Sequence, residues 1–330
     1  MFSLKKRAAA DDTTALTNYN AGFYNSLTTA FNLSPNEFQL TQGAFALPDT
    51  NTAIYNVFDG VPPVSVCNLF TANDLNTLSA NYQNLLGYAD VQEQLSFTYK
   101  IANTNYMNAA NWVGGNPGTN PMYSPSTSDI IAALKNGSVI SFNYNSATAG
   151  TSLQNTWAQS ASSGGVWFWG YNNDSTSQSI NTLATSSDVT VSMTATFASV
   201  PVQPGGWFSN AYLIQMYQDS SLWEGGQSKW NTLFGSGGSL QDVSVQAIIA
   251  TDFVITITSA AAYSASQYNY VYTSSNVNVW PFYTSSSSSS TTTNYTQNGD
   301  SSITATIQSL PGAVQILGFN VSSTASLIQA

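Results

Sequence analysis

The chain has no histidine, so neither a Ser-His-Asp triad nor a Cys-His dyad can be assembled from it. Its one cysteine, Cys67, reads as a small buried hydrophobe beside Val66 and Leu69, and it cannot form an intrachain disulfide. Zinc-ligand spacing is missing, and so is a Gly-x-Ser-x-Gly elbow; Gly235-Ser-Gly-Gly-Ser239 reads as a turn-rich loop. No Gly-rich loop ends in Gly-Lys-Ser or Gly-Lys-Thr to cradle a phosphate. Asn172-Asn173-Asp174-Ser175 is rich in oxygen ligands but lacks the full calcium-loop pattern. We therefore assign no catalytic residue, no metal ligand and no cofactor.

Carboxylate chemistry survives these exclusions. Glycoside hydrolysis needs two acids flanking the scissile bond, and Glu37, Glu93, Glu224 and the aspartates supply the parts. Trp223-Glu224-Gly-Gly-Gln-Ser-Lys229-Trp230 sets an acid and an amine between two indoles, which could stack on a sugar ring and desolvate the carboxyl group. A solvated loop ion pair is the commoner meaning of such a segment. Trp167, Trp169 and Tyr171 alternate so as to share one face of a strand, and Trp280, Phe282 and Tyr283 cluster around a proline. Exposed, these rings form a ligand or assembly surface; buried, they are core, which is the commoner fate of such rows. The candidate surface residues are thus Trp167, Trp169, Tyr171, Trp223, Trp230, Trp280, Phe282 and Tyr283.

Only 7% of the 330 residues are charged, against about 25% in an average soluble protein. Solubility must then come from Ser, Thr, Asn and Gln, whose hydroxyls and amides bond equally well to water, to sugars or to copies of the same chain. Net charge is −10, and beyond Lys5, Lys6 and Arg7 the cations are Lys100, Lys135 and Lys229 alone. Three scattered lysines cannot neutralise a phosphate backbone, which excludes nucleic acid as a partner. The N-terminal Met-Phe-Ser-Leu-Lys-Lys-Arg leads into Ala and Asp with no apolar stretch, so no secretory signal is expected there. No apolar run is long enough for a transmembrane helix. The compartment stays unassigned, although the composition suits extracellular or cell-surface use.

The elements that carry these residues divide by period. Leu16, Tyr19, Phe23, Leu27 and Phe31 fall on one helix face, and Leu75, Leu78, Tyr82 and Leu85 on another, capped by Thr71 or Asn73. A less regular helix passes through Val91, Leu95 and Ile101, and a short one spans Asp129 to Asn136 with Gly137 as its left-handed stop. From Val139 the period becomes two. Val189, Val191, Met193, Ala195 and Phe197 alternate with Thr and Ser, the pattern of a half-buried antiparallel strand. Further strands are marked at Val243 to Val245, Phe253 to Ile257, Ile303 to Ile307 and Val314 to Val321, with a helix at Asn210 to Tyr217 capped by Ser209. The Ser/Thr tract from Thr284 to Thr293 reads as a flexible loop.

Asp59-Gly-Val-Pro62-Pro63, Pro204-Gly-Gly-Trp207-Phe208, Trp280-Pro-Phe-Tyr283 and Pro311-Gly312 leading to Gln315-Ile316-Leu317-Gly318 resemble segments of a group of uncharacterised bacterial and fungal proteins of unknown function. The resemblance spans most of the chain and implies only that its two halves belong together; it brings no activity and no site residues.

We expect an α+β chain: a mainly helical region over 1–137 and a mainly antiparallel, sandwich-like β region over 138–330, packed as one unit. We expect a non-enzymatic, self-assembling or surface structural protein whose partner is itself. The alternatives are a membrane-active, pore-forming or toxin-like protein, a carbohydrate-binding protein and, last, a carboxylate-dependent glycoside hydrolase. The pore reading rests on the residues between Asp252 and Asp300, which include no Lys, Arg, Asp or Glu.

Overall fold

Val189, Val191, Met193, Ala195 and Phe197 are all buried while Thr190, Ser192 and Thr194 are exposed, so the strongest period-two signal in the chain is a strand with one face in the core. The structure, a computed structural model, describes residues 24, 28–29, 31–65, 70, 76–145, 147, 175–185, 187–273 and 291–329. The class is mixed α+β, with strands mainly in the C-terminal half. The chain passes back and forth between two compact units. One holds the described residues up to Ala46, then Gly137–Ala198 and Ile249–Leu317; the other holds Leu47–Asn136, Ser199–Ile248 and the chain from Gly318 onward.

The strands are β1 (Phe38–Ala46), β2 (Tyr123–Ser124), β3 (Ser138–Asn145), β4 (Val189–Pro201), β5 (Gln203–Pro204), β6 (Asp242–Ser259), β7 (Thr291–Gln297), β8 (Ile303–Ser309) and β9 (Val314–Ser323). Apart from the β2–β5 pair, they take the form of one seven-stranded sheet in the order β1-β9-β6-β4-β3, with β8 on β6 and β7 on β8. Two separate strands expected near Val243 and Phe253 are a single strand, β6, of 18 residues. Its continuity passes through Asp252, whose φ of 51° is left-handed and shifts the alternation. Beside it the Thr251 hydroxyl donates to the Ala313 carbonyl at 2.9 Å, where Gly312, at φ 77°, turns the chain from β8 into β9.

In the first unit, β6 and β8 pair antiparallel, Ile255 opposite Ile307 and Ile257 opposite Ala305. Phe253, Ile255, Ile257, Ile303, Ala305 and Ile307 are completely buried. Each isoleucine contributes about 1.5–3 kcal/mol by leaving water, and β-branching suits it to the pleat. The threonines between them point the other way; Thr258 and Thr304 share a hydroxyl–hydroxyl hydrogen bond of 2.9 Å. The expected loop at Thr284 to Thr293 needs correcting at its end, because Thr291–Thr293 already belong to β7, paired with β8; the rest of the tract lies outside the described residues. Helices α5 (Ser175–Thr185) and α8 (Ala265–Thr273) complete this unit. Of the five apolar residues of the expected first helix only Phe31 is described, its ring edge-on to Phe197 at 4.5 Å, while Tyr24, Thr28 and Thr29 of the same stretch are helical. Cys67 and the segment Asn172 to Asp174 lie outside the described residues.

The second unit is mainly helical: α1 (Asn51–Phe58), α2 (Leu78–Gly87), α3 (Phe97–Met107), α4 (Thr127–Lys135), α6 (Asn210–Gln218), α7 (Gln227–Phe234) and α9 (Thr324–Gln329). In so uncharged a chain the helix starts are held by hydroxyls. Thr50, Thr77, Ser96, Ser126 and Ser209 each accept from a backbone N–H of the first turn, each such cap being worth about 1 kcal/mol. Ser209 is the expected cap, whereas α2 starts at Thr77 instead of Thr71 or Asn73, because Asp59 also binds that helix end. Gly137 is not among the left-handed glycines; α4 closes through Asn136, whose N–H donates to Ala133 and Leu134. Val91, Leu95 and Ile101, on the expected irregular helix, are exposed, and α3 buries Ala102 and Tyr106.

Candidate functional site

Trp223 and Trp230 come together in the second unit, around α7. Their indole N–H groups donate to the Met216 and Tyr217 carbonyls, both at 2.8 Å, and the rings pack with Tyr217 and Phe234. At 3% exposure Trp223 offers no face to a ligand. Glu224 is exposed, its backbone N–H held by the Tyr88 carbonyl at 2.7 Å, and the Lys229 ammonium sits 4.5 Å from the Tyr88 ring centre. The indoles thus fasten α6 to α7, and the amine is occupied by a ring. Trp167, Trp169, Tyr171, Trp280, Phe282 and Tyr283 lie outside the described residues.

The carboxylate with the most developed surroundings is one that motif reading passed over. Asp59, just after α1, is 3% exposed. It accepts from the Ser79 N–H at 2.8 Å, the Ser79 hydroxyl at 2.5 Å and the Tyr123 hydroxyl at 2.7 Å. Burial raises its pKa above the usual carboxylate range, with the hydrogen bonds pulling the other way. Its wall is aromatic. Trp207 packs against Tyr82, Trp112 and Tyr123 with centroids 5.7–5.9 Å apart, and Tyr106, pushed up to about 12 by burial and then by the Asp59 charge, lies against Trp112. Gly205 and Gly206 let the backbone bring Trp207 in: a Cβ there would stand 2.6 Å from the Met122 carbonyl or the Asn111 amide oxygen. A second buried acid, Glu93, accepts from Gln215 on α6 at 3.0 and 3.1 Å and from Ser96 at 2.8 Å. Both acids bind neutral donors of the protein itself, an arrangement that joins helices and leaves little access for a substrate. In the sequence Asp59 is visible only as an acid following the apolar Val57-Phe58 and as the head of Asp59-Gly-Val-Pro62-Pro63, neither of which marks a site.

Access is found in the first unit. Strand β3 ends the sheet order, and among the described residues no strand pairs with its outer edge. Its residues, Ser-Val-Ile-Ser-Phe-Asn-Tyr-Asn, carry no charge and no proline, and Val139 is 70% exposed. Behind it, Asn143 and Asn145 face Ser192 and Thr190 across the ladder. With Tyr144, Val191, Thr256 and Thr258 they line a pocket of about 530 Å³ that contains no charged side chain. Tyr144, raised to about 12 by burial, keeps its proton at any ordinary pH. Among the described residues no group of three or more His, Cys, Asp or Glu could hold a metal ion, and no helix is long and apolar enough to cross a membrane.

Comparison with family models, with curated proteins and with solved structures gave no match. The chemistry of the site must be read from its own residues.

Proposed function

We propose that this protein is a non-enzymatic structural protein that assembles with copies of itself through β3. The observation that carries the reading is an eight-residue strand, last in the sheet order of the described residues, with neither charge nor proline, on which Val139 is 70% exposed. Uncharged strands of this kind pair readily with others, and soluble proteins ordinarily blunt them with Lys, Pro or a bulge. β3 pairs with β4 in unbroken register from Ser138 opposite Phe197 to Asn145 opposite Thr190, so no bulge turns it away. The low density of charged groups favours the same outcome, since with 7% of residues charged few solvated charges must be displaced where copies meet. Exposed apolar side chains at Val91, Leu95, Phe97 and Ile101 add a second sticky surface in the other unit.

The membrane-active alternative requires Ile255, Ile257, Ile303, Ala305 and Ile307, all completely buried, to exchange the core for lipid, and we rank it second for that reason. The test of assembly is static light scattering on the purified protein beside Val139→Lys. We expect the wild type to form species whose mass grows with concentration and the variant to stay monomeric. A monomeric wild type at every concentration and salt would overturn the reading.

A further inference from the structure

The outward face of the sheet in the first unit is a field of neutral hydroxyls and amides. From β3 it takes Ser141, Asn143 and Asn145, opposite Thr194, Ser192 and Thr190 of β4. From β6 and β8 it takes Thr256 opposite Thr306 and Thr258 opposite Thr304. β7 extends the same rows, with Asn294 opposite Thr306 and Thr296 opposite Thr304. β4 and β6 are neighbours in the sheet, and Thr190, Ser192, Thr256 and Thr258 line one pocket, so the rows of the two halves adjoin. The acids nearest along these strands, Asp188, Asp252 and Asp300, stand beyond the rows, and no lysine lies on the five strands.

Such a surface discriminates by what it lacks. A phosphate, sulfate or uronate on a ligand would surrender its water with no cation to receive it, and the rim acids would repel it. A polyhydroxylated neutral ligand loses nothing of that kind, since Thr and Ser hydroxyls both donate and accept and Asn does both at once. Strand spacing of about 4.8 Å and a side-chain repeat of about 6.8 Å give a lattice of donors and acceptors on the scale of a pyranose ring. The pocket volume of about 530 Å³ lies within the range of small-molecule sites. Some of the hydroxyls already bond to one another, Ser141 with Thr194 and Thr258 with Thr304, both at 2.9 Å, which fixes their positions before a ligand arrives.

We propose that the β3–β4–β6 pocket, with Asn143, Asn145, Thr190, Ser192, Thr256 and Thr258 as its polar contacts, binds neutral glycan chains. Binding is modest, with Kd roughly between 0.1 and 10 mM, because each hydroxyl contact exchanges one hydrogen bond to water for another. The test is calorimetric titration of the full chain with cellohexaose, maltohexaose, mannohexaose and chitohexaose, using hexagalacturonate as the charged control. The titrations are repeated on Thr190→Val/Thr256→Val, which removes two hydroxyls at almost constant shape, and on Ser192→Ala. We expect at least one neutral hexaose to bind, the galacturonate to bind at least tenfold more weakly, and the double variant to lose about tenfold in affinity with its melting temperature nearly unchanged. Ser192→Ala, the smaller change, should weaken binding in the same direction. Failure of every neutral hexaose to bind, equal binding of the galacturonate, or unchanged affinity in both variants overturns the proposal. Thr190, Ser192 and Thr256 lie on inner strands, so the same titrations on monomeric Val139→Lys separate a failure here from a failure of edge assembly.

Discussion

Asp59 shows how a carboxylate can be structural without a cation. Its partners are one amide and two hydroxyls within 2.8 Å, and removing it strands all three in an aromatic interior. Asp59→Ala should cost about 2–4 kcal/mol in urea unfolding, and Asp59→Asn less. The group also sets a pH dependence of unusual sign. Burial raises its folded pKa, while in the unfolded chain an Asp titrates near 3.9. Between those two values the native state holds a proton the unfolded state has lost, so this group's contribution to stability falls as pH rises through that window and grows on acidification. Asp129, Asp219 and Asp300 have lowered values, each through hydrogen bonds from a neighbouring serine. Their contributions are complete above the unfolded value and are lost only below it. The stability of the wild type relative to Asp59→Asn should therefore increase as pH falls through the window above the unfolded value of about 3.9; a difference independent of pH would contradict the assignment. Gly205 belongs to the same neighbourhood, and Gly205→Ala should destabilise by more than about 2 kcal/mol through contact with the Met122 carbonyl.

At the scale of elements, the β strands were the legible part. Alternation at Val189 to Phe197 and at Ile303 to Ile307 states which face is buried, because a strand's period of two leaves no ambiguity about sides. What the pattern could not state is which strands join: Asp252 carries β6 across a break in alternation, and only the hydrogen bond from Thr251 to Ala313 shows why. Helices were read less well. In α3 the large apolar residues Phe97 and Ile101 are 79% and 43% exposed, while the core takes Ala102 and Tyr106. We expect Phe97→Ser and Ile101→Ser to change unfolding free energy by less than about 0.5 kcal/mol while reducing nonspecific association. Strand pairing gives a sharper test. Thr258→Cys/Thr304→Cys places two thiols at directly opposed positions of β6 and β8. The oxidised variant should form its disulfide without loss of circular dichroism; failure to cross-link under mild oxidant would contradict the register.

For the whole molecule, composition spoke more clearly than any motif. A chain with 7% charged residues caps its helices with Ser and Thr and covers its open sheet face with hydroxyls and amides. The candidate site was only partly legible. The polar alternation of β4 was visible, but the place of β3 at the end of the described sheet order is a property of topology, and no local pattern reveals it. The aromatic residues drew the eye instead, and of the two described, Trp223 is core and Trp230 is tied to the Tyr217 carbonyl. The assembly claim is open to one direct measurement, hydrogen–deuterium exchange of the peptide covering residues 138–145 at dilute and at high protein concentration. Association through β3 should slow exchange in this peptide as concentration rises and leave the amides of β8, an inner strand, unchanged. Exchange in 138–145 that is the same at both concentrations would contradict assembly through β3.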